Sequence, residues 1–177
     1  MTNALATREA VTADAPALAA LVNSAYRGES SRDGWTTEAD LLGGQRTDVD
    51  RLIDTIGAPD NVILVHDREG TPGACVHLER TGDACCLGML TIRPILQRGG
   101  LGRRLLEAAE RWAIDHWASR SMHMTVIAQR PELIAWYERR GYQRTGESKA
   151  FPYGDERFGL PRRPDLTFEV LRKDLPT

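Results

Sequence analysis

One short run constrains this chain more than any other. Gln97-Arg98-Gly99-Gly100-Leu101-Gly102 lies between an apolar segment, Ala84–Ile92, and a helical stripe that starts at Leu101. Leu101, Leu105, Ala108, Ala109, Trp112 and Ala113, with charges between them, predict a helix to about Trp117 that buries one face. A strand, a short glycine-rich loop and a helix in that order gather free backbone N–H groups at the positive end of the helix dipole. Such a junction suits a phosphate or pyrophosphate. Gly99, Gly100 and Gly102 let a ligand approach the main chain, and Arg98, Arg103 and Arg104 add positive charge.

Two common glycine loops are excluded. No Gly-Lys-[Ser/Thr] closes the run, so it is not a Walker loop. Gly100-x-Gly102 is followed by Arg103-Arg104-Leu105 with no third glycine, so it is not the dinucleotide fingerprint.

The rest of the chain supplies alternating elements. Residues 5–12 read as a short first strand. Asp14-Ala15-Pro16 reads as a helix start with Asp14 as cap, and the helix runs to Tyr26 with Leu18, Leu21, Val22 and Ala25 on one face. Thr37 with Asp40 three residues on has capping-box-like spacing and predicts another helix start. Asp48–Ile56 reads as a helix stopped at Gly57-Ala58-Pro59. Asn61–His66, Ala74–Leu78 and Ala84–Ile92, joined by short turns, read as an antiparallel meander. Met122–Ala128 reads as a strand. Pro131 opens a helix favoured by Glu132 at one end and by Arg139 and Arg140 at the other, and Gly141 ends it. Tyr142 begins a strand, residues 148–164 read as a long loop, and Leu166–Leu171 is the last strand. The expectation is an α/β (α+β) fold in one domain over residues 1–177. Its central mixed sheet is mostly antiparallel, with helices on both faces.

Charge and cysteine content narrow the function. With 23 basic and 25 acidic residues the net charge is −2, which argues against holding nucleic acid by charge. Cys75, Cys85 and Cys86 form no C-x-x-C pair and read as reduced core thiols of a cytoplasmic protein. His66, His77, His116 and His123 lack ligand spacing, so no metal is expected. No signal peptide and no membrane-spanning run are expected.

Gln97-x-x-Gly100-x-Gly102 resembles the pyrophosphate loop of the GNAT superfamily of N-acetyltransferases. Leu90-Thr91-Ile92-Arg93-Pro94 is similar to the family strand that enters that loop, and Ile134-Ala135-Trp136-Tyr137-Glu138-Arg139-Arg140-Gly141-Tyr142 to its later Tyr-x-x-x-Gly-[Phe/Tyr] signature. Asp14-Ala15-Pro16-Ala17-Leu18 is similar to its first helix, so the likeness runs from about residue 5 to about residue 172. The resemblance implies acetyl-CoA as co-substrate. Its binding residues would be Leu90, Thr91 and Ile92 on a strand splayed from its neighbour, with Gln97, Arg98, Gly99, Gly100, Leu101, Gly102 and Arg103 in the loop. Family members often carry Asn and Ala seven and four residues before the tyrosine. Here Arg130 and Leu133 stand there, so Arg130 either reaches a phosphate or projects into water. The resemblance also allows a homodimer.

The implied reaction is attack of an amine on a thioester. A lysine-like amine has a pKa of about 10.4, so presenting it neutral near pH 7 costs about 4–5 kcal/mol unless a base or water chain assists. The developing oxyanion needs donors, for which backbone N–H groups near Met89–Thr91 are candidates. The thiolate, from a thiol of pKa near 8.5, gains from a proton donor. The resemblance assigns that role to Tyr137. Glu79, at the end of a meander strand, and Glu29 are candidate bases, with ordered water the alternative.

In this fold the acceptor is usually chosen by the loop after the first helix and the loop between the last two strands, here residues 27–47 and 148–164. Glu29, Trp35 and Tyr153 are candidate acceptor contacts. An aromatic ring beside carboxylates would suit a cationic amine, whereas Arg32 and Arg46 would suit a carboxylate-bearing one. The leading reading is acetylation of a small-molecule amine. Acetylation of a protein lysine or N-terminus, and a non-catalytic acyl-CoA-binding sensor, are the alternatives.

Overall fold

The computed structural model describes residues 4–176. The elements are β1 (Arg8–Glu9), α1 (Ala15–Tyr26), β2 (Leu42–Gly43), α2 (Val49–Gly57), β3 (Asn61–Arg68), β4 (Thr71–Thr81), β5 (Ala84–Ile92), α3 (Leu101–Trp117), β6 (Ser121–Ile127), α4 (Pro131–Glu138), β7 (Gln143–Ala150), β8 (Leu160–Pro161) and β9 (Thr167–Asp174). Seven strands form one sheet in the order β1-β3-β4-β5-β6-β9-β7. Only β5 and β6 run parallel, and the other neighbours are antiparallel.

Both faces of the sheet are covered, and strand alternation explains how. Val62 and Leu64 of β3 and Ala74, Val76 and Leu78 of β4 pack with α3 and α4 through Leu105, Leu106, Ala109, Ile134 and Tyr137. Ile63, Val65 and Cys75 point the other way, onto Leu18, Val22 and Leu52 of α1 and α2. The near-continuous apolar runs of β3 and β4 follow from this two-sided burial.

Two features of β5 place the site. Cys75 pairs with Thr91 but His77 pairs with Gly88, so one residue of β4 opposes both Met89 and Leu90. Met89 takes a left-handed φ of 50° at this bulge. The extra residue flips the alternation: Cys85 and Leu87 face α3 before it, Leu90 and Ile92 after it, while Met89 turns toward α1. Pairing with β6 then stops, the registered partners being only Ala84↔Ser121, Cys85↔Met122 and Cys86↔His123. Beyond them β5 and β6 diverge, and α4 lies over the gap.

Five sequence expectations differ from the structure. The first strand shrinks to Arg8–Glu9. Asp14 stands at the N-cap of α1 but its carboxylate makes no capping bond there, because it accepts from the Val11 N–H (2.8 Å) and pairs with Arg8 (2.8 Å). No helix starts at Thr37: Asp40 pairs with Arg32 (2.7 Å), Glu38 is drawn inward by two arginines, and the chain enters β2. Residues 148–150 belong to β7, since Ser148, Lys149 and Ala150 pair with β9. Cys75 and Cys85 are buried thiols, but Cys86 is only half-buried.

The two long loops meet. Leu42 pairs with Pro161 and Gly43 with Leu160, forming a two-stranded ribbon across them. Gly159 makes that approach possible, because with φ at 99° an added Cβ would stand 3.0 Å from the Gly43 carbonyl oxygen. Among the described residues no helix is long and apolar enough to cross a membrane, and no group of His, Cys, Asp or Glu could hold a metal ion.

Candidate active site

The divergence of β5 from β6 opens two cavities that meet. The larger, about 380 Å³, is lined by Trp35, Thr36, Leu90, Thr91, Ile92, Gln97, Arg98, Gly100, Gly102 and Arg103, and by Leu133, Trp136, Arg139 and Arg140 around α4. The smaller, about 130 Å³, lies between the splayed strands and is lined by Glu38, Arg46, Leu87, Gly88, Met89, Met124–Ile127 and Phe168. Tyr26, Leu90, Arg130, Leu133 and Tyr137 belong to both walls.

The larger cavity is built for an anion. Among the described residues five arginines line it, Arg98, Arg103, Arg130, Arg139 and Arg140, and no carboxylate does. In α3 the first backbone bond runs from the Arg104 N–H to the Gly100 carbonyl (3.2 Å), so the N–H groups of Leu101, Gly102 and Arg103 have no acceptor within the helix. Arg98 and Gly100 both adopt left-handed φ, 70° and 76°, which bends the loop around its own amides. A Cβ on Gly102 would come within 3.4 Å of Trp136 Cζ2, so glycine keeps this wall back.

Gln97 acts as a brace. Its Nε2 donates to the Ile92 carbonyl (3.0 Å) and its Oε1 accepts from the Trp35 N–H (2.9 Å). The loop is thereby fixed to the end of β5 and to the segment after α1. Gly99 and Leu101 do not line the cavity, and Leu101 packs toward the core instead.

Tyr137 stands where the cavities meet. It is 5% exposed, and its ring is gripped edge-on by Trp136 (5.0 Å) and Tyr142 (5.7 Å). Burial raises its pKa far above the ordinary phenol value. Among the described residues its hydroxyl forms no hydrogen bond, and the residue lines both cavities, so a neutral hydroxyl borders the junction.

Several expected residues stand elsewhere. Glu79 is exposed near the zipped end of β5 and β6, opposite Asn61 and Cys86, and lines neither cavity. The Glu29 carboxylate is 90% exposed and pairs with Arg32. Tyr153 turns its hydroxyl to the Arg163 carbonyl (2.7 Å) and lines neither cavity. Trp35 does line the larger one, with its ring 6.5 Å from that of Trp136. Arg130 does not project into water. It is 4% exposed and donates to Glu38 Oε1 (2.9 Å) and Thr36 Oγ1 (2.8 Å).

The structure adds residues that sequence reasoning missed. Glu38 is 7% exposed and receives Arg27 on one oxygen and Arg130 on the other. Burial is the strongest single influence on its carboxyl and opposes ionisation. The charges of Arg130, Arg27 and Arg46 together outweigh it and hold the pKa below the ordinary value. Trp136 carries the Arg140 guanidinium 3.7 Å above its ring. The available signal for Glu38 was a lone acid in a loop with no neighbouring base, which looks the same as a solvated charge.

Sequence and structure comparisons agree with this architecture. The model of the acetyltransferase (GNAT) family matches residues 22–142. No curated protein sequence matches the chain. The ribosomal-protein-S18-alanine N-acetyltransferase of Escherichia coli superposes with a TM-score of 0.70 at 16% identity, covering 97% of this chain and 94% of that one. The ribosomal-protein-alanine N-acetyltransferase of Brucella melitensis gives 0.70 at 20% identity, covering 97% and 100%. The PaiA N-acetyltransferase of Thermoplasma acidophilum, solved in complex with coenzyme A, gives 0.66 at 13% identity, covering 96% and 98%. The match over residues 22–142, together with the bulged and splayed β5 leading into a glycine loop at a helix N-terminus, shows that the chain belongs to the GNAT family of acetyltransferases.

Proposed function

We propose that this chain transfers an acetyl group from acetyl-CoA directly to the primary amine of a small molecule. The observation that carries the reading is the pair of cavities joined at Tyr137 and Leu90, one cationic and one small. The donor set fits the coenzyme: backbone amides at the start of α3, Arg98 and Arg103 beside them, and Arg139 and Arg140 across the cavity, with no carboxylate to repel phosphates. The Thermoplasma protein that shares the fold holds coenzyme A. When bound, the coenzyme supplies the activated acetyl thioester.

This chain's residues do the rest. The bulge at Met89 and Leu90 presents main-chain groups at the junction, where developing negative charge on oxygen can be met. Tyr137 Oη holds a proton that it can give to the departing sulfur. The Glu38 carboxylate is committed to Arg27 and Arg130, so we assign proton removal from the amine to water rather than to a side chain. A cleft of about 130 Å³ suits a small amine better than a peptide. Free cysteines suit a reducing compartment such as the cytoplasm.

The test follows thiol release from acetyl-CoA against small amines and peptides. Turnover with small amines is expected. Coenzyme binding without turnover on any amine overturns the enzyme reading in favour of a sensor, and turnover on peptides alone overturns the small-molecule reading.

A further inference from the structure

The smaller cleft has an imbalance of charge. Among the described residues Glu38 is the sole acid on its wall, and two guanidiniums already share it. A third, Arg46, lines the same cleft. Among the described residues it forms no ion pair, and its guanidinium lies 5.5 Å from the centre of the Tyr26 ring. The Arg46 backbone is fixed, its N–H donating to Asn23 Oδ1 (2.8 Å), so the side chain enters the cleft from a held position.

The buried pair is also under-satisfied. Arg27 and Arg130 are 5% and 4% exposed, and the Nε of each has no hydrogen-bond partner among the described residues. Arg130 Nε has Glu132 Oε1 only at 4.0 Å. Three guanidiniums around one buried carboxylate, with Glu132 half-exposed at the rim, leave an excess of positive charge where water is partly excluded. An anion brought there by the ligand would offset that excess, and a second cationic group would be repelled. Arg32, the other arginine of this region, contributes nothing to the cleft, since it is turned outward to Glu29 and Asp40.

We infer that the acceptor is an amine bearing an oxyanion, such as an amino acid, whose anionic end is received by Arg46 while its amine points to the junction at Leu90 and Tyr137. The inference rests on the acetyltransferase reading and narrows its substrate class. Planar pairing of two oxygens with a guanidinium favours a carboxylate or phosphonate over a neutral polar group.

The experiment uses the full chain and acetyl-CoA with matched sets: amino acids with the amine at the α, β or γ carbon, their amides, the decarboxylated amines, and the corresponding aminophosphonates. Oxyanion-bearing amines are expected to exceed their amides and decarboxylated partners by about tenfold or more in kcat/KM. The carboxylate and phosphonate arms tell which oxyanion is taken. Arg46→Gln should raise KM for the oxyanion-bearing amine by about tenfold while leaving kcat and coenzyme A affinity nearly unchanged. Preference for amines or peptides without an oxyanion overturns the inference and leaves acetyl transfer standing, as does an unchanged KM in Arg46→Gln. Coenzyme A binding with no turnover on any set overturns both.

Discussion

The Tyr26 hydroxyl donates a hydrogen bond to the Leu90 carbonyl (2.8 Å), tying the last turn of α1 to the bulge of β5. Both residues line both cavities, so this bond holds the junction in shape. Tyr26→Phe removes the donor and keeps the ring. The expected loss of stability is about 1 kcal/mol, since water can reach the freed carbonyl from the cavity. Urea unfolding should show a lower midpoint with an unchanged slope, and a drop of several kcal/mol would mean that the bond organises more than the bulge.

Tyr137→Phe separates chemistry from binding. Turnover should fall by about 10²-fold, with coenzyme A affinity little changed. Burial raises the Tyr137 pKa, so the hydroxyl stays neutral throughout the neutral range and adds no limb to the wild-type kcat profile there. The same shift makes folding alkali-sensitive. The contribution of Tyr137 is complete below the unfolded phenol value near 10 and is lost as the pH rises above it. A wild-type loss of activity near pH 8 that vanished in Tyr137→Phe would contradict this.

The glycine loop that lines the larger cavity was legible in the sequence, and the walls of the smaller cleft were not. Gln97 to Gly102 is a contiguous run whose spacing carries its geometry, and the helix after it ends at Trp117 as its stripe predicts. The bulge, the ribbon between residues 42–43 and 160–161, and the Arg27–Glu38–Arg130 cluster join segments far apart in the chain. Nothing local marks Glu38 for burial, because its partners Arg27 and Arg130 lie 11 and 92 residues away. Thr37 and Asp40 had the local chemistry of a helix start, but the buried pairing of Glu38 with distant Arg130 outweighs a single cap. Glu79 stands away from both cavities for a related reason: a strand end is easily read, but which end of β5 opens is a property of the sheet.

His77 gives the fold an acid limb. Burial and the Arg46 charge push its pKa down to about 4, and its Nε2 lies 2.7 Å from Asn61 Oδ1. The unfolded value is near 6.5, so the contribution is complete above that and is lost as the pH falls toward 4. The loss over this window is of the order of 2–3 kcal/mol. His77→Asn should flatten the difference in unfolding free energy between pH 7 and pH 4.5. A variant as acid-sensitive as the wild type would place the limb on other groups.

Glu38→Gln tests the buried cluster. It keeps the shape but leaves Arg27 and Arg130 without their shared buried counter-charge, at an expected cost of about 3–5 kcal/mol. Removing Arg130 as well, as Glu38→Gln with Arg130→Gln, should recover part of the loss, because one uncompensated charge is gone. Thermal unfolding of the two variants checks this, and a double variant no more stable than the single one would show that the packing of Arg130, not its charge, matters.

Two glycines of the loop should respond differently. Gly100 has a left-handed φ of 76° with nothing within 4 Å of an added Cβ, so Gly100→Ala costs about 1–2 kcal/mol of backbone strain but blocks nothing. Gly102 is helical and sits against Trp136, 3.4 Å from an added Cβ. Gly102→Asp both crowds that wall and sets a negative charge at the start of α3, where the carboxylate itself interacts well with the helix dipole. This variant should therefore fold with near-normal thermal stability yet lose coenzyme A binding in calorimetry, whereas Gly100→Ala should melt earlier and still bind. Retained binding in Gly102→Asp would remove the amides of this helix from the coenzyme site.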